Sequence, residues 1–260
     1  MSACWLLAPD PPQAAGTRGS CFLLHEVGVG EVRREPSTTC GVRVSPQSTF
    51  KIPHALAALD SGVIQDVDAM VKYDGRPADQ PLWRRDHSLA TAMRYSVVWF
   101  FQDIASRLGD ARERDYLNRF DYGNRDTSGG LTTFWLGRSL AISPEEQLQF
   151  LGKLFGNQLN VKPAAVATVK RILVQPSGAV VNATGEHAFA RPWPSGTVVS
   201  AKTGAGPTAD GNTVRWLVGH VQRGSRSWIF VSNVIGDSNL PAMAAVEQAE
   251  GALIAAHVLR

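Results

Sequence analysis

PQSTFKIPHAL, residues 46–56, sets a hydroxyl and an amine three places apart at the head of an apolar run. Positions three apart share one face of a helix. A helix is therefore predicted over 48–60, with Phe50, Ile52, Ala55, Leu56 and Leu59 packed inward and Gly62 as its stop. Ser48 and Lys51 would then face the same cleft. A serine hydroxyl is a poor nucleophile until a base takes its proton. An amine is such a base only when burial or nearby positive charge lowers its pKa. Phe50, Ile52 and Pro53 supply apolar company. Alone, the pattern also describes a cap serine beside a solvated lysine.

Two stretches further along bear on the choice. YSVVWF, residues 95–100, places Ser96 ahead of an apolar run, where a bare core helix needs no hydroxyl. SAKTGAG, residues 200–206, places Lys202, Thr203 and Gly204 on a late strand. A strand edge can dock a substrate through its backbone, Lys202 offers charge to a carboxylate, and Gly204 permits close approach. Singly, Ser96 reads as a satisfied polar group and KTG as a turn. Together, in this order, the three form a serine–lysine acyl-transfer set.

The remaining pattern says how the pieces are arranged. CFLLHEV (21–27) and EVRRE (31–35) read as strands paired through GVG. A helical stretch over 88–108 is interrupted at RYSVV. In ISPEEQLQFLGKLFG (142–156), Ser143 caps, Pro144 opens and Glu146 completes a capping box; Leu148, Leu151, Leu154 and Phe155 repeat at helical spacing until Gly156. After residue 190 the pattern turns β-branched and aromatic in TVVSAKTGA, VRWLVGHVQ and SWIFVSNVI, with RGS suited to a hairpin turn, and Pro241 opens a last Ala-rich helix running to the C-terminus. Strands at both ends with helices between them predict an α+β fold whose sheet lobe spans 1–57 and 172–260. Residues 1–20 read as an irregular leader, 58–171 as an all-helical lobe, and the site falls between the lobes.

With 44% hydrophobic and 19% charged residues in 260, a sizeable core is expected. The net charge is +3 and basic residues are scattered, which argues against a nucleic-acid partner. No apolar run is long enough to span a membrane. The N-terminus lacks the basic and apolar regions of a signal peptide, so a cytosolic protein and a mature exported domain both remain open. No Cys/His cluster suggests a metal, and the six histidines are dispersed. Of three cysteines, Cys21 and Cys40 could pair if the segment between them folds back, leaving Cys4 odd; buried free thiols are the equal alternative.

The chain resembles the class D serine β-lactamases, the oxacillinases, from about Cys21 to the last helix. The residues that carry the likeness are PQSTFKIPHALAALDSGVI, YSVVWFFQDIA, FDYGNRDTSGGLTTFWLGRSLAISPEEQLQFL, KTGAG and WLVGHV. The resemblance implies a β-lactamase/transpeptidase-like α+β fold: a central antiparallel sheet flanked by terminal helices, and a helical lobe across a cleft. It further implies that Ser48 opens the lactam ring of penicillins through an acyl-enzyme, with Ser96 relaying a proton to the leaving nitrogen. Lys51 would be N-carboxylated by CO2 or bicarbonate and act as general base, with no metal or organic cofactor. Val98 stands where related families carry the Asn of S-x-N, which dries the pocket. Trp135 would hold the carbamate through its N–H, with Val98, Leu136 and Phe50 walling out water. Lys202, Thr203, Gly204 and Ala205 would bind substrate, with the N–H groups of Ser48 and Ala205 as oxyanion hole.

The likeness also implies antibiotic resistance, a periplasmic location, a monomer or homodimer, and β-lactams as the partners rather than nucleic acid or membrane. Two departures stand out. Family members carry an arginine for the substrate carboxylate where this chain has Met243, and often an aromatic residue where it has Ala205. Either Arg215 or Arg226 compensates, or the carboxylate rests on Lys202 and Thr203, with a weakened KM for penicillins. The competing reading is a β-lactam sensor domain, acylated once without turnover. A DD-peptidase is disfavoured by SVV in place of S-x-N.

Overall fold

Period-two alternation assigns each strand residue to one side of the sheet. The computed structural model describes residues 16–35 and 39–260. Its strands are β1 (Thr17–Glu26), β2 (Gly30–Glu35), β3 (Ala179–Asn182), β4 (Gly185–Ala188), β5 (Thr197–Pro207), β6 (Thr213–Arg223) and β7 (Arg226–Gly236). Five form one antiparallel sheet in the order β2-β1-β7-β6-β5, and β3 with β4 make a separate hairpin. On β6, Trp216 and Val218 join one core with the helices, whereas Leu217 and Val221 join a second core on the opposite face.

The helices are α1 (Lys51–Asp60), α2 (Leu89–Arg94), α3 (Val98–Leu108), α4 (Asp110–Phe120), α5 (Pro144–Phe155), α6 (Pro163–Ile172) and α7 (Ala244–Ala255). The second core lies under α7; α5 covers the first face against β7 and β1. An N-terminal flanking helix would fall in residues 1–15, outside the described residues. The strands β2, β5, β6 and β7, the Cys21–Glu26 part of β1 and the capping box of α5 stand where the sequence places them.

Several expectations need correction. Thr17–Ser20 are not leader but the start of β1, because β7 offers partners as far as Gly236. The helix predicted over 48–60 is two pieces, a 3-10 turn at Gln47–Phe50 followed by α1. The boundary at 57/58 falls within α1 and that at 171/172 within α6. The inserted lobe is not helical throughout: residues 61–88 contain only a 3-10 turn at Pro81–Trp83 and an isolated bridge between Val71 and His87. The last helix begins at Ala244, after a turn at Pro241, and stops at Ala255. Helix α4 was not foreseen because its first two turns are charged; Tyr116, Leu117 and Phe120 concentrate its apolar surface at one end. Cys21 and Cys40 form a disulfide, tying β1 to the approach to Ser48. Cys4 lies outside the described residues.

Candidate active site

The 3-10 turn brings Ser48 and Lys51 together more closely than an α-helix would, because side chains at i and i+3 eclipse in this geometry. The Lys51 Nζ lies 2.7 Å from Ser48 Oγ. Ser48 is half-buried at the cleft, while Lys51 is fully buried beneath it with Nζ 5.5 Å from the Phe101 ring centre. Burial, then the charge of Lys202, holds the Lys51 pKa well below that of an ordinary lysine. The neighbouring Gln47 takes a left-handed backbone, φ +51°. Its N–H donates to the Trp135 carbonyl at 3.1 Å and its side chain to the Pro207 carbonyl at 2.6 Å. This residue pins the serine turn between two walls of the cleft. Nothing in its sequence position marked it, since strain in a non-glycine residue is visible only in the fold.

Ser96 comes from across the cleft. The chain leaves α2 and enters α3 through one tight turn in which Ser96 has φ +57°. Its hydroxyl accepts from Lys202 Nζ at 2.9 Å, and that amine also donates to the Thr203 carbonyl at 3.1 Å. Burial pushes the Lys202 pKa down to about 7. Sequence reasoning gave Lys202 the substrate carboxylate. Lys202 is 3% exposed, and its amine stands directly behind Ser96, which lines the cleft. Geometry therefore couples Lys202 to Ser96, leaving Thr203 at the cleft surface.

Trp135 reaches the site through a loop held by the serine segment itself. Its carbonyl accepts from Ser45 Oγ at 2.9 Å as well as from Gln47 N–H, and Gly137 N–H donates back to Ser45 Oγ at 2.9 Å. Gly137 has φ +78°, and a Cβ there would lie 2.6 Å from the Pro207 carbonyl oxygen. The indole Nε1 of Trp135 is buried without a hydrogen-bond partner. Such a donor is costly unless something accepts from it. Phe50 packs against this indole with centroids 5.9 Å apart, and His54 meets it edge-on at 4.6 Å. Val98 and Leu136 are half-buried and line the cleft above.

The cleft itself encloses about 510 Å³. The edge strand β5 supplies Thr203, Gly204 and Ala205 on one side, Ser96 and Val98 lie on another, and Arg215 and Met243 close one end. Gly204 was expected to admit substrate; the tighter constraint comes from the protein, since a Cβ there would lie 3.0 Å from the Pro46 carbonyl oxygen and 3.1 Å from Thr49 Cγ2. Its missing side chain lets the serine turn sit against β5. Ala205 is exposed, leaving that side open. Among the described residues no His/Cys/Asp/Glu group is placed to hold a metal, and no helix is long and apolar enough to cross a membrane.

A turn bearing a serine and a lysine, a second serine across the cleft and a KTG edge strand are the features of the penicillin-binding transpeptidase architecture, and residues 32–258 match the penicillin binding protein transpeptidase domain family. The chain is 39% identical over 189 residues to the β-lactamase OXA-48 of Klebsiella pneumoniae, covering 73% of this chain and 65% of that protein. It is 35% identical over 240 residues to OXA-1 of Escherichia coli, covering 88% and 81%. The solved class D β-lactamase BAT-2 superposes with a TM-score of 0.80 at 31% identity, over 93% of both chains. Within that wider family, this chain belongs to the class D β-lactamases.

Proposed function

We propose that the protein hydrolyses β-lactams through an acyl-enzyme on Ser48, and so confers resistance to penicillins in the periplasm. The observation that carries this reading is the 2.7 Å approach of a fully buried, pKa-depressed Lys51 to the Ser48 hydroxyl. Ser48 Oγ gives its proton towards Lys51 as its lone pair forms a bond to the lactam carbonyl carbon. The N–H groups of Ser48 and Ala205 would stabilise the oxyanion. As the C–N bond breaks, its electron pair stays on nitrogen, and Ser96 would deliver the proton that nitrogen needs, with Lys202 behind it at 2.9 Å. Water then attacks the ester, and release of the acid returns the proton to Ser48.

The pocket fits an N-carboxylated Lys51. A depressed pKa leaves the amine free to add CO2, and the unpartnered Trp135 indole N–H could receive an anionic group there. Bound in this way, the carboxylate supplies a basic oxygen in a dry pocket both for acylation and for activating the hydrolytic water. Phe50, Val98 and Leu136 keep bulk water from it, and Trp135 with Ser48 would orient it.

The test is a time course of benzylpenicillin hydrolysis with bicarbonate and again after degassing, followed by intact mass. Sustained turnover that falls without CO2 supports this reading, as does its loss in Lys51→Ala and Trp135→Ala. One stoichiometric burst leaving a stable adduct on Ser48 would refute hydrolysis. Unchanged turnover in both variants would refute the assigned base. The sensor alternative finds no support in the relatives above, which are named as β-lactamases.

A further inference from the structure

Met243 lines the cleft where a substrate carboxylate would need a cation, and the Lys202 amine is engaged by Ser96. Among the described residues, the one basic side chain lining the cleft is Arg215. It sits on β6 directly opposite Ala205 of β5. Being two residues from Leu217, it shares the sheet face that packs towards α7. Its cross-strand neighbour Ala205 carries only a methyl group.

Arg215 is not used up by the protein. Its guanidinium donates to the carbonyls of Pro241, Val214 and Leu240 at 3.3, 3.3 and 3.4 Å. These are long contacts that engage three of its five N–H groups. It forms no ion pair with a carboxylate among the described residues. The other candidate is committed elsewhere: Arg226 donates to both carboxylate oxygens of Glu26, at 2.7 and 2.8 Å, far along the same hairpin. Arg215 is thus a half-buried guanidinium without a carboxylate partner in a cleft whose one acidic lining residue is Asp79, and such a group suits an anion.

We propose that Arg215, reaching from the strand beside Ala205, binds the carboxylate of anionic β-lactams in place of a cation at Met243. This assignment rests on the reading of Ser48 as the acylated residue. It makes Arg215 a determinant of specificity: acids are held, and neutral esters of the same ring system gain nothing from it.

The test separates binding from turnover. In a Ser48→Ala background, calorimetry would measure the affinity for benzylpenicillin and for its methyl ester, with and without Arg215→Ala. The expected result is a loss of about 10- to 100-fold for the acid, the range of a charge-assisted hydrogen bond, with no change for the ester. In the active enzyme, KM for benzylpenicillin should rise by a similar factor while kcat changes less than about threefold. Arg215→Lys should recover part of the loss, and adding Met243→Arg to Arg215→Ala should recover more. Equal losses for acid and ester, or unchanged affinity for the acid, would overturn the proposal even if the enzyme turns over normally. Absence of any Ser48 adduct or turnover, with the acid still bound through Arg215, would instead overturn the hydrolase reading alone.

Discussion

Replacing Lys202 by methionine should stabilise the protein at low pH while disabling it. The amine is buried, and burial lowers its pKa from 10.5 to about 7. Below about pH 7 both folded and unfolded chains carry the proton, and the folded state bears the whole cost of holding that charge out of water. From about pH 7 to 10.5 the unfolded chain still binds a proton that the folded chain has lost, so stability rises with pH across this window. The drop in pKa corresponds to about 5 kcal/mol. Methionine removes that cost but also removes two hydrogen bonds, to Ser96 Oγ and the Thr203 carbonyl, together worth about 2 kcal/mol. A net gain of about 3 kcal/mol is expected at pH 6, or roughly 6–12 °C in Tm for a chain of this size. By pH 9.5 the gain should shrink to near zero. Relief of the repulsion on Lys51 acts in the same direction at low pH. Urea unfolding of wild type and Lys202→Met at pH 6 and 9.5 checks both magnitude and slope. A difference independent of pH would refute the depressed amine, and a variant less stable at pH 6 would refute the desolvation argument altogether.

Trp135→Phe keeps the ring but deletes the orphaned N–H. The 13C signal of Lys51 labelled with 13C-bicarbonate should then require about tenfold or more additional bicarbonate to saturate, a loss of roughly 1.5 kcal/mol from one donor to an anion; equal saturation in both proteins would contradict the pocket assignment. Replacing Cys21 and Cys40 together by alanine opens a loop closed across 19 residues, and about 3 kcal/mol of stability should be lost by the chain-entropy estimate. Thermal melts should fall by roughly 6–12 °C, and dithiothreitol should reproduce the shift only in the wild type.

Ser48, Lys51, Ser96 and Lys202 were legible as residue types because the chemistry demands a hydroxyl beside an amine, and local spacing reports a shared face. The same local pattern carried the late strands and the capped helix α5, whose signals lie within a dozen residues. Long-range demands stayed hidden. Thr17–Ser20 become strand only because β7 runs alongside them, and Gln47 accepts a left-handed backbone only because Trp135 and Pro207 hold both its ends. The cysteine sequence left pairing and free thiols equal, and the path between β1 and the serine turn decided for the bond. Lys202 and Arg215 show the division most clearly. Sequence supplies two cations near the end of the chain, but their direction depends on which side of β5 and β6 each leaves and on what is already there to receive it. Lys202 meets Ser96 and is buried; Arg215 meets only backbone carbonyls and lines the cleft. Composition and spacing determined which functional groups this protein owns, while the packing of the serine turn against the edge strand decided which of them meet one another.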